Sequence, residues 1–148
     1  MSMTALIVLL LVATPALSAG QVAGGSAVPA SAVHDIKEIL GTWEGTSACT
    51  DRVAAPACQD EVAVYEISAA AAQGAAAWKA YKIVAGQKVL MGELELRYSD
   101  TDHCWRADFS SPRVASVWCL SVKGAQMTGT AWLMPGKQVI RAVSARKK

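Results

Sequence analysis

The sequence predicts an all-β fold: an eight-stranded antiparallel up-and-down barrel preceded by a short N-terminal helix. Three observations predict it. Hydropathy alternates with period two through eight successive stretches from residue 41 onward. Turn-forming residues separate many of them: Ala85-Gly86, Asp100-Thr101, Ser111-Pro112, Gly124-Ala125 and Pro135-Gly136. Registers worked out for three separate hairpins then place the same bulky residues on one face.

The elements follow in order. From His34 to Leu40, apolar Ile36, Ile39 and Leu40 have helical spacing over two turns, ended by Gly41. Strands are expected at 41–50, 61–68, 77–85, 88–98, 103–110, 113–122, 126–134 and 137–146. Alanine favours helix in the stretch 69–77, but Gln73-Gly74 interrupts it, so it reads as a loop. Successive strands joined by tight turns make an antiparallel meander, and closing the meander into a barrel removes its two exposed edges.

Register tests the scheme. A two-residue turn at Ser111-Pro112 sets Cys104 opposite Cys119, Trp105 opposite Trp118 and Phe109 opposite Val114. One at Asp100-Thr101 sets Leu96 against Trp105, Tyr98 against His103 and Leu94 against Ala107, with Glu95 facing Arg106 on the other surface. One at Gly124-Ala125 sets Trp118 against Ala131 and Leu120 against Gly129. Leu94, Leu96, Trp105, Phe109, Trp118, Leu120, Ala131 and Leu133 then share the inner face. Cys104 and Cys119 fall on the outer face of neighbouring strands, so the predicted disulfides are Cys104–Cys119 and Cys49–Cys58. Each contributes roughly 2–4 kcal/mol, mainly by constraining the unfolded chain. Zinc is the rival use of four cysteines, but no Cys-x-x-Cys pair or closely spaced His partner exists. No metal or cofactor is expected.

The N-terminus sets the compartment. Residues 5–13 are an apolar run far shorter than the roughly 20 residues of a membrane-spanning helix. Pro15 and the small residues Ala16, Ser18, Ala19 and Gly20 follow, which reads as a signal peptide over 1–19, cleaved near Ser18 or Ala19. Residues 20–33 carry no charge and read as a flexible leader, so the barrel domain is 34–148. Four cysteines behind such a leader fit a secreted or periplasmic protein with disulfides, and no membrane span in the mature form. A net charge of +2, from 14 basic and 12 acidic residues, argues against a nucleic-acid partner. The basic run Arg146-Lys147-Lys148 reads as a solvated tail. A monomer is expected.

One short motif carries a resemblance. Gly41-Thr42-Trp43, at the start of the first strand and after a helical turn, resembles the signature of the lipocalins and wider calycins. The resemblance implies that Trp43 lies inside the closed end of the barrel. It also implies an Arg from the last strand packed over the indole, here Arg141 or Arg146, with Gly41, Trp43 and that Arg in structural roles. The segment as a whole looks like a group of secreted bacterial lipocalin-like proteins, through Leu40–Ser47, Pro56-Ala57-Cys58, Met91–Glu95 and Leu120–Thr130. That group carries a fold expectation and no firm activity. The Thr-Asp-Tyr-like motif usual before the seventh lipocalin strand is absent, so ligand-determining residues do not transfer.

An eight-stranded barrel is either filled by side chains or holds one small ligand. Gly92, Ala107, Ser116, Gly129, Ala131 and Ala142 are small residues assigned to the inner face. They leave room for an apolar ligand or let the tryptophans pack, and the sequence leaves both readings open. In the first, a small hydrophobic ligand is lined by Leu96, Trp105, Trp118 and Leu120, with Tyr98 and His103 as polar handles near a rim. In the second, a filled barrel is a protein-binding module, such as a secreted protease or lysozyme inhibitor, acting through the Cys49–Cys58 loop or the leader. No catalytic residues are assigned. His103 and Cys104 point to opposite faces, and Glu93 and Glu95 read as a solvated charged face. Gly24-Gly25-Ser26 lacks the strand–elbow–helix context of a serine hydrolase.

Overall fold

A computed structural model describes residues 34–112 and 114–148. The signal peptide and leader assigned to 1–33 lie outside the described residues. Eight strands form the fold: β1 (Gly41–Cys49), β2 (Glu61–Ala69), β3 (Ala75–Val84), β4 (Gln87–Ser99), β5 (Cys104–Ser110), β6 (Ala115–Lys123), β7 (Gln126–Leu133) and β8 (Gln138–Lys147). Each pairs antiparallel with the next, and β8 pairs back onto β1, so the sheet is a closed barrel without an edge.

The expected two-turn helix is reduced to one 3-10 turn, Ile36–Glu38, capped by the Asp35 carboxylate accepting from Lys37 N. No α-helix occurs among the described residues. The apolar residues that suggested helical spacing have a different use: Ile39 is fully buried and Ile36 packs on the core, closing one end of the barrel.

Strand registers depart from expectation at two turns. Tyr98 pairs with Trp105 and Trp105 with Leu120, each displaced by two residues. Both turns contain four residues, not two. At the first, Ser99 Oγ accepts from Asp102 N and donates to the Asp102 carboxylate, while His103 takes φ 53°. At the second, Ser111 N donates to Val114 O at 2.9 Å. A shift of two preserves the face, because side chains alternate with period two. The third hairpin has the expected register, Trp118 opposite Ala131 and Leu120 opposite Gly129. Arg97, not Glu95, therefore lies opposite Arg106. Glu95 pairs with Arg97 at 2.8 Å, and Arg106 with Asp102 and Asp108. Ala142 faces outward, between inward Arg141 and Val143.

Both predicted disulfides form, Cys49–Cys58 and Cys104–Cys119. The second bridges β5 to β6 diagonally, with Cα atoms 5.5 Å apart.

The barrel interior has two unlike halves. At the end where the chain enters, Trp43, Ile67, Ala76, Leu96, Trp105, Leu120, Met127, Val143 and Ala145 pack into one core. Trp43 Nε1 donates to Ile39 O at 2.8 Å, so its buried donor is satisfied. The cation over its ring is Lys147, with Nζ 5.1 Å from the centroid, in place of the expected Arg141 or Arg146. The register explains this: Lys147 is the β8 residue paired with Trp43, whereas Arg146 pairs with Glu44 and Arg141 lies six residues back, opposite Cys49. The basic C-terminal run is thus partly a lid on the closed end. Two glycines allow the tight packing there. A Cβ at Gly129 would come within 2.5 Å of Leu120 Cδ2, and one at Gly45 would collide with Ser144 O.

Candidate functional site

The other half of the barrel is hollow. Residues of β2, β3, β4, β5, β6 and β8, with Val114 of the β5–β6 turn, line an open cavity of about 270 Å³. Its floor is aromatic. Tyr65 meets Trp78 edge to face at 5.3 Å, and Trp78 meets Trp118 likewise at 5.4 Å. This row spans the interior and separates the hollow half from the packed half. Leu94, Ala80, Gly92, Phe109, Val114 and Ser116 continue the wall.

Two irregularities add side chains to that wall. Between β3 and β4, Ala80 pairs with Gly92 but Tyr81 pairs with Leu90, so Met91 is an extra residue. Between β7 and β8, Ala131 pairs with Arg141 but Trp132 pairs with Val139, so Ile140 is an extra residue. Met91 and Ile140 both line the cavity. A bulge bends its strand and re-aims a side chain, and here both bulges serve the same opening.

Arg141 reaches the wall from β8. Its Nη1 lies 3.2 Å from Glu61 Oε2 and donates to Ser47 Oγ at 2.8 Å and Ser47 O at 3.2 Å; its Nη2 donates to Gln59 O at 3.1 Å. The Arg141 and Glu61 side chains are only 13% and 14% exposed, so this is a mostly buried pair tying β8 to β1 and β2. Glu93 touches the cavity but pairs with Lys79 at 3.3 Å. Burial raises the Tyr65 phenol to about 12, against smaller lowering influences from Ser47 and Arg141. Trp78 Nε1 is buried with no partner in hydrogen-bonding geometry, and the buried Tyr65 Oη lies beside the Ser47 hydroxyl, which lowers the phenol against the larger effect of burial.

The loop beside the mouth is tied down. Cys49–Cys58 closes it, and Asp60 accepts from Cys49 N at 2.7 Å and from Arg52 Nη2 at 3.1 Å. The Cys49 amide holds the Asp60 carboxyl below its ordinary value, against opposing desolvation, with Arg52 and Arg141 adding to the lowering.

Of the six residues selected from sequence as ligand-lining, Trp118 lines this cavity. Leu96, Trp105 and Leu120 are buried in the packed half. Tyr98 lies at the closed end, stacked on His34 at 3.4 Å and edge-on to Trp105 at 5.6 Å. His103 is exposed in the β4–β5 turn at that same end. Alternation identifies the inner face of a strand; it does not give height along the barrel axis. Tyr65, Trp78, Met91 and Ile140 escaped the sequence reading. Breaks in alternation signalled the last two: Val89-Leu90-Met91 and Val139-Ile140 are consecutive apolar residues in strands that otherwise alternate.

Compared with known proteins, the chain matches no family model, no curated protein and no solved structure.

Proposed function

We propose that this protein is a non-enzymatic, lipocalin-like barrel that holds a small hydrophobic molecule outside the cytoplasm. The observation that carries this reading is the cavity over the Tyr65–Trp78–Trp118 floor, whose walls are largely apolar. Its volume lies just below the range of small-molecule pockets. Binding works by burial: apolar ligand surface leaves water at about 25 cal/mol per Å². The rim supports the same reading. Among the described residues, the exposed large hydrophobics all lie at the open end, Val62, Leu90, Val114 and Met134 among them. Two disulfides support the oxidising compartment.

The test uses native mass spectrometry on the oxidised protein purified without detergent, beside a Gly92→Leu variant. Gly92 lines the cavity, and a Cβ there meets nothing within 4 Å. The wild type is expected to release a bound mass on denaturation, or to take up naphthalene, and the variant to do neither while remaining folded. Equal uptake by both proteins, or by neither, would overturn the reading.

One observation favours the rival reading, a hydrolase inhibitor. Val53 is 92% exposed on the disulfide-closed β1–β2 loop. If that loop docks on a protein, Val53→Glu abolishes the complex and leaves small-molecule uptake intact. An inserting leader would instead be exposed by truncation of 20–33.

A further inference from the structure

One seam in the barrel wall is short. β5 pairs with β6 from Trp105 to Ser110, but with β4 only at Cys104, Trp105 and Arg106. Beyond Arg97 and Arg106 the two strands run toward the mouth without pairing. We infer, on the reading of the barrel as a small-molecule binder, that this slit between β4 and β5 is a side entrance to the cavity, kept unzipped by like charges on its two flanks.

The charges explain why the ladder stops. Arg97 faces Arg106 at its last pair. If the same register continued, Leu96 would meet Ala107, Glu95 would meet Asp108 and Leu94 would meet Phe109. The outer face would then set two carboxylates against each other beside two opposed cations. Like charges directly opposite across strands are unfavourable. Each arginine instead takes a carboxylate of its own strand. Arg97 Nε lies 2.8 Å from Glu95 Oε1, and Arg106 Nη2 lies 2.9 Å from Asp108 Oδ1. Neither pair stitches the seam. The other side of β4 differs: Glu93 lies opposite Lys79 of β3, and the two form an ion pair at 3.3 Å.

Burial shows where the slit opens. Leu96 and Ala107 are buried, so the wall is closed at their level. Leu94 and Phe109 face inward one step nearer the mouth, and both line the cavity. Phe109 is nevertheless 39% exposed, while Ser116, its β6 partner on the same face, is 7% exposed. The open flank of Phe109 is thus the one away from β6. Glu93, whose side chain pairs with Lys79 on the outer face, also borders the cavity, as a residue beside an opening does. Leu94 and Phe109 form apolar lips for an apolar ligand, and the charges stay outside them.

An entrance governs rates. Entry and exit cross the same barrier, so narrowing it slows both and leaves the equilibrium in place. The experiment follows naphthalene by stopped-flow tryptophan quenching on the oxidised full chain and on three charge variants, with amide hydrogen exchange measured alongside. Asp108→Lys and Glu95→Lys each turn the opposed carboxylates into an attractive pair, and Glu95→Lys with Asp108→Lys restores a like pair. Both single variants should gain amide protection at 93–95 and 108–110. Both should also slow association and dissociation together by about threefold, with Kd within about twofold of the wild type. The double variant should exchange naphthalene at the wild-type rate.

Single variants that gain protection but keep wild-type rates would overturn the entrance and leave the mouth as the only route. Wild-type amides at 93–95 and 108–110 as protected as those of the β6–β7 ladder would overturn the slit. Protection unchanged in the single variants would overturn the like-charge cause. A wild type that takes up no naphthalene would count against the parent reading, and the entrance would fall with it.

Discussion

The two halves of this barrel use the same strands and the same alternation, and they end differently. At the closed half, large side chains face glycine and alanine, and Trp43, Leu96, Trp105 and Leu120 interdigitate. At the open half, small residues lie beside small residues: Ala80 is paired with Gly92, and Ser116 also lines the cavity. Close packing therefore needs large opposite small, whereas small opposite small leaves a void. The polar groups divide the same way. The Trp43 indole has its acceptor, and the Trp78 indole has none.

Tryptophan deletion should give the largest difference. Trp43→Ala removes a fully buried ring and its hydrogen bond, and should destabilise by about 3–5 kcal/mol in urea unfolding. Trp118 is only partly buried beside the cavity, so Trp118→Ala should cost less than half of that and abolish most ligand binding. Equal losses of stability at both positions would mean that the floor is core and the two halves are not distinct.

The Arg141–Glu61 pair should follow. Arg141→Met leaves the Glu61 carboxylate mostly buried without its partner, which should lower stability by about 2–4 kcal/mol. Arg141→Met with Glu61→Leu should recover most of it, because the second change removes the orphaned charge. A double variant as unstable as the single one would show that the Arg141 bonds to Ser47 and Gln59 matter more than the charge pair.

The inward glycines sharpen the comparison at smaller magnitude. Gly129→Ala forces a methyl onto Leu120, and should destabilise by about 1–3 kcal/mol. Gly92→Ala places the same methyl in open space, and should be neutral or slightly stabilising in the same unfolding measurement. If Gly92→Ala matches Gly129→Ala, the open half is as tightly packed as the closed one.

These differences explain what was legible in the sequence. Faces were legible, Ala142 excepted, because period two survives an error of two residues: the turns expected at 100–101 and 111–112 span 100–103 and 111–114, and Trp105 and Trp118 are still inside. Cys104–Cys119 was legible for the same reason, and Cys49–Cys58 followed as the remaining pair. Depth was not. Tyr98 and His103 flank the β4–β5 turn, and nothing in that turn says which end of the barrel is open. Deciding that required knowing that Ile39 and Trp43 plug the end holding the start of β1, a contact made by tertiary packing. The cation over Trp43 also escaped, since Lys147, not the expected Arg141 or Arg146, holds the register position that reaches the ring. The bulges that bring Met91 and Ile140 inward showed only as faults in an otherwise regular pattern.

The smallest effects should separate the ends by pH and salt. Asp102, in the closed-end turn, and Asp60, beside the open mouth, both have carboxyls held below the usual 3.8. A lowered folded value means each contributes stability above about pH 4, lost as pH falls through that lowered value. The causes differ. Asp102 is held first by the Arg106 side chain and then by Ser99, and Asp60 first by the Cys49 backbone amide. Salt near 1 M shortens screening to roughly 3 Å and weakens exposed charge pairs more than a hydrogen bond to a fixed amide. Asp102→Asn and Asp60→Asn should therefore both lower Tm slightly at pH 7, and both differences should close as pH falls through those lowered values. Raising salt at pH 7 should shrink the Asp102 difference more than the Asp60 difference. Equal shrinkage would assign Asp60 to its Arg52 pair instead of the amide, and the two ends would then use carboxylates alike.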